Sequence, residues 1–155
     1  KALEPDNPTT EEMLGLLAVR RYDDHGRLTE ATGHYVRALR LRPISANTWA
    51  NLAAARYLVG DTSGVFETAI RNAARLGPSN PQVQRIVAHH GLAVFDEVSA
   101  PTRRAIEAMV AAGVRRDPGE MLGIAHRRGR LEIACRYLPE TRRMVDPRWE
   151  QLCAR

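Results

Sequence analysis

Apolar residues recur three and four positions apart along most of the chain, the spacing of one face of an α-helix. In the clearest stretch the apolar positions are Leu28, Ala31, Tyr35, Ala38 and Leu39. They predict an amphipathic helix that ends near Pro43. The same spacing predicts helices over residues 11–24, 46–58, 62–77, 81–96, 99–116, 119–128 and 131–138, and from about 146. No stretch alternates as a strand would, so the pattern predicts an all-α fold of consecutive antiparallel helix pairs.

Glycines between the predicted helices share one spacing. Gly26 and Gly60 are 34 residues apart, and Gly129 follows Gly60 after 69 residues, close to twice that interval. The missing turn is predicted near Phe95. Each glycine is expected to end one helix before the next begins. A single period of about 34 residues therefore runs through the chain, as in helical-repeat proteins.

Side chains that cap helices support these boundaries. Thr9 or Thr10 is predicted to cap the first helix, and Ser45 is predicted to cap the third. Gly77 followed by Pro78 is typical of a helix end.

Two units carry a motif that resembles the tetratricopeptide repeat (TPR) family, whose unit is a helical hairpin of 34 residues. The matching residues are Tyr22, Gly26, Ala31, Tyr35, Ala38 and Pro43 in the first unit, and Trp49, Leu52, Ala53, Gly60, Ala69 and Pro78 in the second. The resemblance covers about residues 12–80. It implies one domain over residues 1–155, a right-handed stack of antiparallel helical hairpins. Its repeats would span about 12–45, 46–80 and, in degenerate form, 81–118, followed by irregular capping helices over 119–155.

The resemblance also implies a concave groove lined by the first helix of each hairpin. The groove residues would be Leu16, Arg20, Asp23, Asn47, Asn51, Ala54, Tyr57, Leu58, Arg85 and His89. This mixture of apolar and charged side chains suits an extended peptide or a helix of a partner protein. Some family members bind a carboxyl terminus through a clamp of basic and asparagine side chains. Only Asn51 fits that clamp, so this specific function is not expected.

The charge of the chain suggests an alternative function. Of the 23 basic residues only Lys1 is a lysine, and the formal net charge is +5. Such a chain could be an arginine-rich binder of an anionic polymer, either nucleic acid or an acidic glycan. Many arginines, such as Arg103 and Arg104, lie near predicted helix ends, where a cation is favourable for structural reasons. Aromatic residues make up only 5% of the sequence, which argues against nucleic acid.

The sequence shows no motif that requires catalysis, a cofactor or a metal. No glycine-rich phosphate loop, His-Glu-x-x-His helix or Gly-x-Ser-x-Gly elbow occurs. His89 and His90 are adjacent, and adjacent helical residues point about 100° apart, which disfavours a shared ion. We therefore expect a non-enzymatic protein without a cofactor. Cys135 and Cys153 permit either a disulfide that pins the last helix or two buried thiols.

The C-terminal part is similar to the ends of helical-repeat regions in bacterial proteins of surface-polysaccharide assembly. The residues that carry this likeness are Leu131, Glu132, Ile133, Ala134, Cys135, Trp149, Leu152 and Cys153. It implies an extracytoplasmic domain of a larger bacterial protein, in a compartment where a disulfide persists. The start at Lys1 agrees with an excised or processed chain. No apolar run is long enough to span a membrane, so any membrane attachment would be to another protein or segment.

Overall fold

The computed structural model describes residues 7–20, 25–138 and 146–155, and the regular structure of these residues is entirely helical. The helices are α1 (Pro8–Val19), α2 (His25–Leu41), α3 (Ala46–Leu58), α4 (Gly64–Leu76), α5 (Pro81–Gly91), α6 (Ala100–Arg116), α7 (Pro118–Arg127), α8 (Leu131–Cys135) and α9 (Pro147–Cys153). A short 3₁₀ turn, Leu92–Val94, follows α5. The all-α prediction is confirmed for the described residues.

Consecutive helices pack as pairs, and the pairs join in two layers. α1 packs on α2, α3 on α4, α5 on α6, and α7 on α8. Between pairs, α5 contacts both α3 and α7, whereas α6 contacts both α4 and α8. The first pair joins the second mainly through the packing of α2 on α3. We call the first helices of the pairs, α1, α3, α5 and α7, the odd layer, and the second helices, α2, α4, α6 and α8, the even layer. The odd layer carries most of the predicted groove residues.

Capping side chains set where the helices begin. The side chain of Asn7 accepts a hydrogen bond from the backbone N–H of Thr9 at 2.9 Å, with Pro8 at the first helical position. The predicted cap at Thr9 or Thr10 is therefore wrong, because both residues already lie inside α1. Ser45 caps α3 as predicted and accepts from the backbone N–H of Thr48 at 3.3 Å.

Two of the three predicted turn glycines lie in turns. Gly60 and Gly129 have φ angles of +80° and +68°, in the left-handed region that favours glycine. Gly26 instead lies in the first turn of α2, so its predicted role as a helix breaker is wrong. Near Phe95 the chain turns without a glycine, and α5 ends at Gly91 rather than at residue 96.

Small residues let the helices within a pair approach closely. A Cβ atom at Gly91 on α5 would lie 2.7 Å from Cγ1 of Ile106 on α6. A Cβ atom at Gly15 on α1 would lie 2.7 Å from the Tyr35 ring on α2. Both large side chains are almost completely buried. The glycines thus leave the space that these side chains fill.

A carboxylate on α4 joins its pair to the next one. Glu67 accepts hydrogen bonds from the Thr102 hydroxyl at 2.5 Å and from the Ser99 backbone N–H at 3.2 Å, at the start of α6. Burial alone would raise the pKa of Glu67. The hydrogen bonds from Ser99 and Thr102, together with the charge of Arg71, outweigh burial and lower it. The ionised carboxylate is therefore the form that holds α4 against α6.

The same arrangement joins α1 to α3. Glu12 on α1 accepts a short hydrogen bond from the Thr48 hydroxyl and a longer one, 3.4 Å, from Ser45. Ser45 and Thr48 occupy the first turn of α3, as Ser99 and Thr102 do in α6. In both layers, therefore, a helix that begins with a Ser-x-x-Thr sequence donates hydrogen bonds to a carboxylate of the preceding pair.

The last helix is held by a disulfide and one large side chain. Cys135 at the end of α8 is bonded to Cys153 at the end of α9, with the Cα atoms 5.5 Å apart. Trp149 is 7% exposed, and its ring centroid lies 5.8 Å from that of His126 on α7. α9 is thus fastened to the C-terminal end of the helix stack.

We predict that Gly91→Ala destabilises the protein by about 1–3 kcal/mol, because the added methyl group overpacks the contact with Ile106. The matched control is Gly33→Ala on α2, where the nearest atom to the added Cβ, apart from the helix backbone, would be Nη1 of Arg37 at 3.5 Å. That change should leave stability unchanged or raise it by up to about 1 kcal/mol through helix propensity. Chemical denaturation of both variants measures the difference, and equal effects would contradict the close contact.

We predict that Cys153→Ser lowers the free energy of unfolding by about 3 kcal/mol, because the disulfide no longer restricts the unfolded chain. A reductant should lower wild-type stability by a similar amount and leave the variant unchanged. Denaturation with and without reductant measures both effects. Two free thiols in the unfolded, unreduced wild-type protein would show that the cysteines are not bridged.

Candidate binding cleft

A cleft of about 310 Å³ lies between α5 and α7 in the odd layer. Its lining residues are Arg85, Ile86, His89 and His90 from α5, and Glu120, Ile124 and Arg127 from α7. The two isoleucines provide apolar walls, and the other side chains are polar or charged. This combination of an apolar surface with a few polar groups is typical of ligand clefts.

The two helices that form the cleft begin in the same way. The Asn80 side chain accepts from the backbone N–H groups of Gln82 and Val83, and the Asp117 side chain accepts from that of Glu120 at 3.0 Å. A proline occupies an early position in each helix. These caps fix the start of each helix, and therefore which side chains face each other across the cleft.

Charge in the cleft is centred on one carboxylate. Arg85 contributes Nη1 at 3.2 Å from Oε1 of Glu120, while Arg116 contacts the other carboxylate oxygen. Nε of Arg116 also donates to Oε1 of Gln84 at 2.9 Å, which ties the arginine back to α5. Glu120 is the one carboxylate among the described residues that line the cleft. Two guanidinium groups therefore already neutralise it.

The lining residues His89 and His90 also form, with Tyr57 and Arg128, a cluster that we call the Tyr57 cluster. Nη2 of Arg128 bonds to Nε2 of His89, and a guanidinium group only donates, so this nitrogen is the acceptor. The Tyr57 ring lies 4.8 Å from that of His90 and 6.0 Å from the guanidinium carbon of Arg128. The cluster joins α3, α5 and the residue that follows α7.

Both histidines of the Tyr57 cluster are neutral at physiological pH. Burial, followed by the charges of His89 and Arg128, lowers the pKa of His90 to about 3. Burial and the charges of Arg128 and Arg127 also lower the pKa of His89. Nδ1 of His90 and Nε of Arg128 are buried without a hydrogen-bond partner among the described residues. The positive charge here therefore belongs to the arginines, not to the imidazoles.

Three predicted groove residues meet at this cleft. Arg85 and His89 line it, and Tyr57 lies behind it in the Tyr57 cluster. Leu58, next to Tyr57 at the end of α3, is 41% exposed. Asn47 accepts a hydrogen bond from Nδ2 of Asn80 at 3.0 Å, which links the starts of α3 and α5.

The other predicted groove residues are not in the cleft lining. They are Leu16, Arg20, Asn51 and Ala54. Leu16 is 40% exposed on α1, and Arg20 directly follows that helix. Asp23 lies outside the described residues, as does Tyr22 of the repeat motif.

Sequence reasoning missed the cleft residues contributed by α7. Glu120 lies 35 residues after Arg85 and faces it across the cleft. Ile124 lies the same distance after His89. Extending the repeat period by one more unit would have placed both residues in the groove. The irregular sequence after Pro118 obscured this signal.

A second cleft, of about 370 Å³, lies between α2, α3 and α4. Its lining residues are Val36, Leu39, Arg40, Trp49, Leu52, Gly64, Val65 and Thr68. Although this cleft is larger and more apolar, it offers few polar groups that would orient a ligand. The cleft between α5 and α7 is therefore the stronger candidate for specific recognition.

No protein-family model, curated protein or solved structure matches this chain. None of the helices in the described ranges combines the length and the apolar character that membrane crossing requires.

We predict that His90 makes stability depend on pH. With a pKa of about 3 in the folded state and about 6.5 unfolded, His90 takes up a proton on unfolding between these values. Its contribution to stability is thus complete above pH 6.5 and is lost as the pH falls. Between pH 6.5 and 5 the wild type should lose about 1–2 kcal/mol more than His90→Phe, which keeps a ring beside Tyr57 but cannot titrate. Denaturation at both pH values measures this, and parallel losses would contradict it.

Proposed function

We propose that this chain is a non-enzymatic helical-repeat scaffold, similar to TPR proteins, that binds a segment of a partner protein on its odd layer. The packing of consecutive helices in two layers supports such a stack. So do the turn glycines Gly60 and Gly129, which are 69 residues apart. In this proposal the hairpins form a right-handed stack, and α8 and α9 cap its C-terminal end.

The observation that carries the proposal is the convergence of side chains from three odd-layer helices on one cleft. Tyr57 comes from α3, Arg85 and His89 come from α5, and α7 provides the opposite wall. Leu58 adds exposed apolar surface on the same layer. Apolar anchors beside a few polar groups suit a peptide segment, which is held by side-chain pockets and oriented by hydrogen bonds.

We also propose an extracytoplasmic location in a larger bacterial protein of envelope or exopolysaccharide assembly. The bond between Cys135 and Cys153 supports the location, because disulfides persist in oxidising compartments. The resemblance of the C-terminal residues supports the assignment to polysaccharide assembly.

An arginine-rich binder of an anionic polymer is the competing proposal. Many arginines that could bind a polymer instead face carboxylates of this chain: Arg37, Arg42, Arg56, Arg71, Arg85, Arg116, Arg130 and Arg136. These ion pairs reduce the charge that is free for a polymer. Polymer binding would weaken steeply as salt increases, whereas binding of an apolar peptide would not.

We predict that Leu58→Asp abolishes partner binding, because it places a charge on the odd layer without removing a buried side chain. Leu41→Asp is the matched control, since Leu41 has a similar exposure, 44%, but lies on α2 in the even layer. Immobilised wild-type and variant proteins would be incubated with bacterial extract, and the bound proteins quantified by mass spectrometry. Proteins retained by the wild type and Leu41→Asp should be lost from Leu58→Asp. Equal retention by all three would exclude the odd layer as the binding surface.

A further inference from the structure

The cleft between α5 and α7 holds more positive charge than its own carboxylate balances. Arg85 and Arg127 line the cleft, and Arg128 lies directly behind it. Glu120 is the only carboxylate among the described lining residues, and Arg116 also contacts it. Four guanidinium groups thus accompany a single carboxylate among the described residues here, and those of Arg85 and Arg116 contact it. Arginines elsewhere, such as those at 42 and 71, face carboxylates of their own.

The side chains next to Arg128 hold its charge in place without neutralising it. Arg128 is anchored by His89 and lies over the Tyr57 ring, and both contacts are with uncharged groups. Its Nε is buried and has no hydrogen-bond partner among the described residues. His89 and His90 add no charge at neutral pH. A fixed guanidinium group in a partly desolvated setting attracts an anion more strongly than one in water, because the effective dielectric constant is lower.

The walls of the cleft limit what kind of anion fits. Ile86 and Ile124 present apolar surface beside the arginines. An anion that carries a short aliphatic stem can place the stem against these walls and its charge against the guanidinium groups. An aspartate or glutamate side chain has this form, and arginine binds carboxylates with well-defined geometry. A long acidic polymer would need a continuous basic stripe rather than one charged cleft.

We propose that this cleft receives an aspartate or glutamate side chain of the bound partner segment, with its carboxylate held by Arg85 and Arg127. Glu120 pairs with Nη1 of Arg85 and leaves the other guanidinium nitrogens of Arg85 for the incoming carboxylate. Arg128 adds positive charge from behind the cleft. This inference rests on the proposed function, and it specifies which chemistry on the partner segment is recognised at this point of the odd layer.

The test uses peptides selected on the folded chain. Dodecamers selected from a random phage library against the wild type would be synthesised with amidated C-termini and measured by fluorescence anisotropy. Changing their key Glu or Asp to Gln or Asn should weaken binding to the wild type about tenfold or more, the loss of a charge-assisted contact. With Arg127→Gln the same peptide change should matter less than about twofold, since the contact is already gone. Arg104→Gln on α6, an exposed residue of the even layer, should behave like the wild type.

The possible outcomes separate this inference from the proposed function. Peptides that lose binding with Leu58→Asp but tolerate the acidic-to-amide change would overturn the inference and leave the scaffold proposal standing. Binding that requires a free C-terminal carboxylate would also overturn it. If no peptide is selected, or if Leu58→Asp leaves binding unchanged, the proposed function fails and the inference fails with it. Binding of polygalacturonate, an acidic glycan, that disappears in Arg127→Gln without any peptide binding would identify a glycan site instead.

Discussion

Close approach between the two helices of a pair is the constraint on which the rest of this structure depends. Gly15 and Gly91 leave out a side chain where Tyr35 and Ile106 fill the space between helices. Because these contacts fix how the first and third pairs pack, they also determine which faces of α1 and α5 remain accessible. The cleft between α5 and α7 can form only where that packing holds α5 in position, and Gly91 is the last residue of α5.

Between pairs, polar contacts complement the apolar core. Glu12 and Glu67 each accept hydrogen bonds from a Ser-x-x-Thr sequence at the start of a later helix. At α3 the Ser45 hydroxyl both caps the helix and contacts Glu12, whereas Ser99 contacts Glu67 but makes no side-chain cap for α6. Burial opposes ionisation of Glu67, and the hydrogen bonds overcome it, so the contact that Glu67 makes depends on an ionised carboxylate. Some arginines act in the same way: Arg37, Arg85 and Arg116 each pair with a carboxylate on another helix.

In the candidate cleft, the positive charge belongs to the arginines, and the neighbouring histidines are neutral. A histidine beside two arginines could itself be cationic, yet burial keeps His89 and His90 neutral. The imidazoles then serve to position Arg128 rather than to add charge. Tyr57 contributes in the same way, through its ring rather than through a hydrogen bond. In our proposal Arg85 and Arg127 hold the partner's carboxylate, and Arg128, positioned by His89 and the Tyr57 ring, adds positive charge beside them.

Local pattern was enough to predict the helical class, the turns at Gly60 and Gly129, and the Ser45 cap, because these depend on backbone preferences of a few adjacent residues. The same reasoning placed Gly26 in a turn, although it lies within α2, since glycine is compatible with both settings. Tyr57, Arg85 and His89 were predicted from their positions in a repeat. Their contacts with Glu120 and Arg128 could not be, because they join residues 35 or more positions apart across separate helices. Only packing decides which side chains face each other there and which histidines are too buried to carry a positive charge.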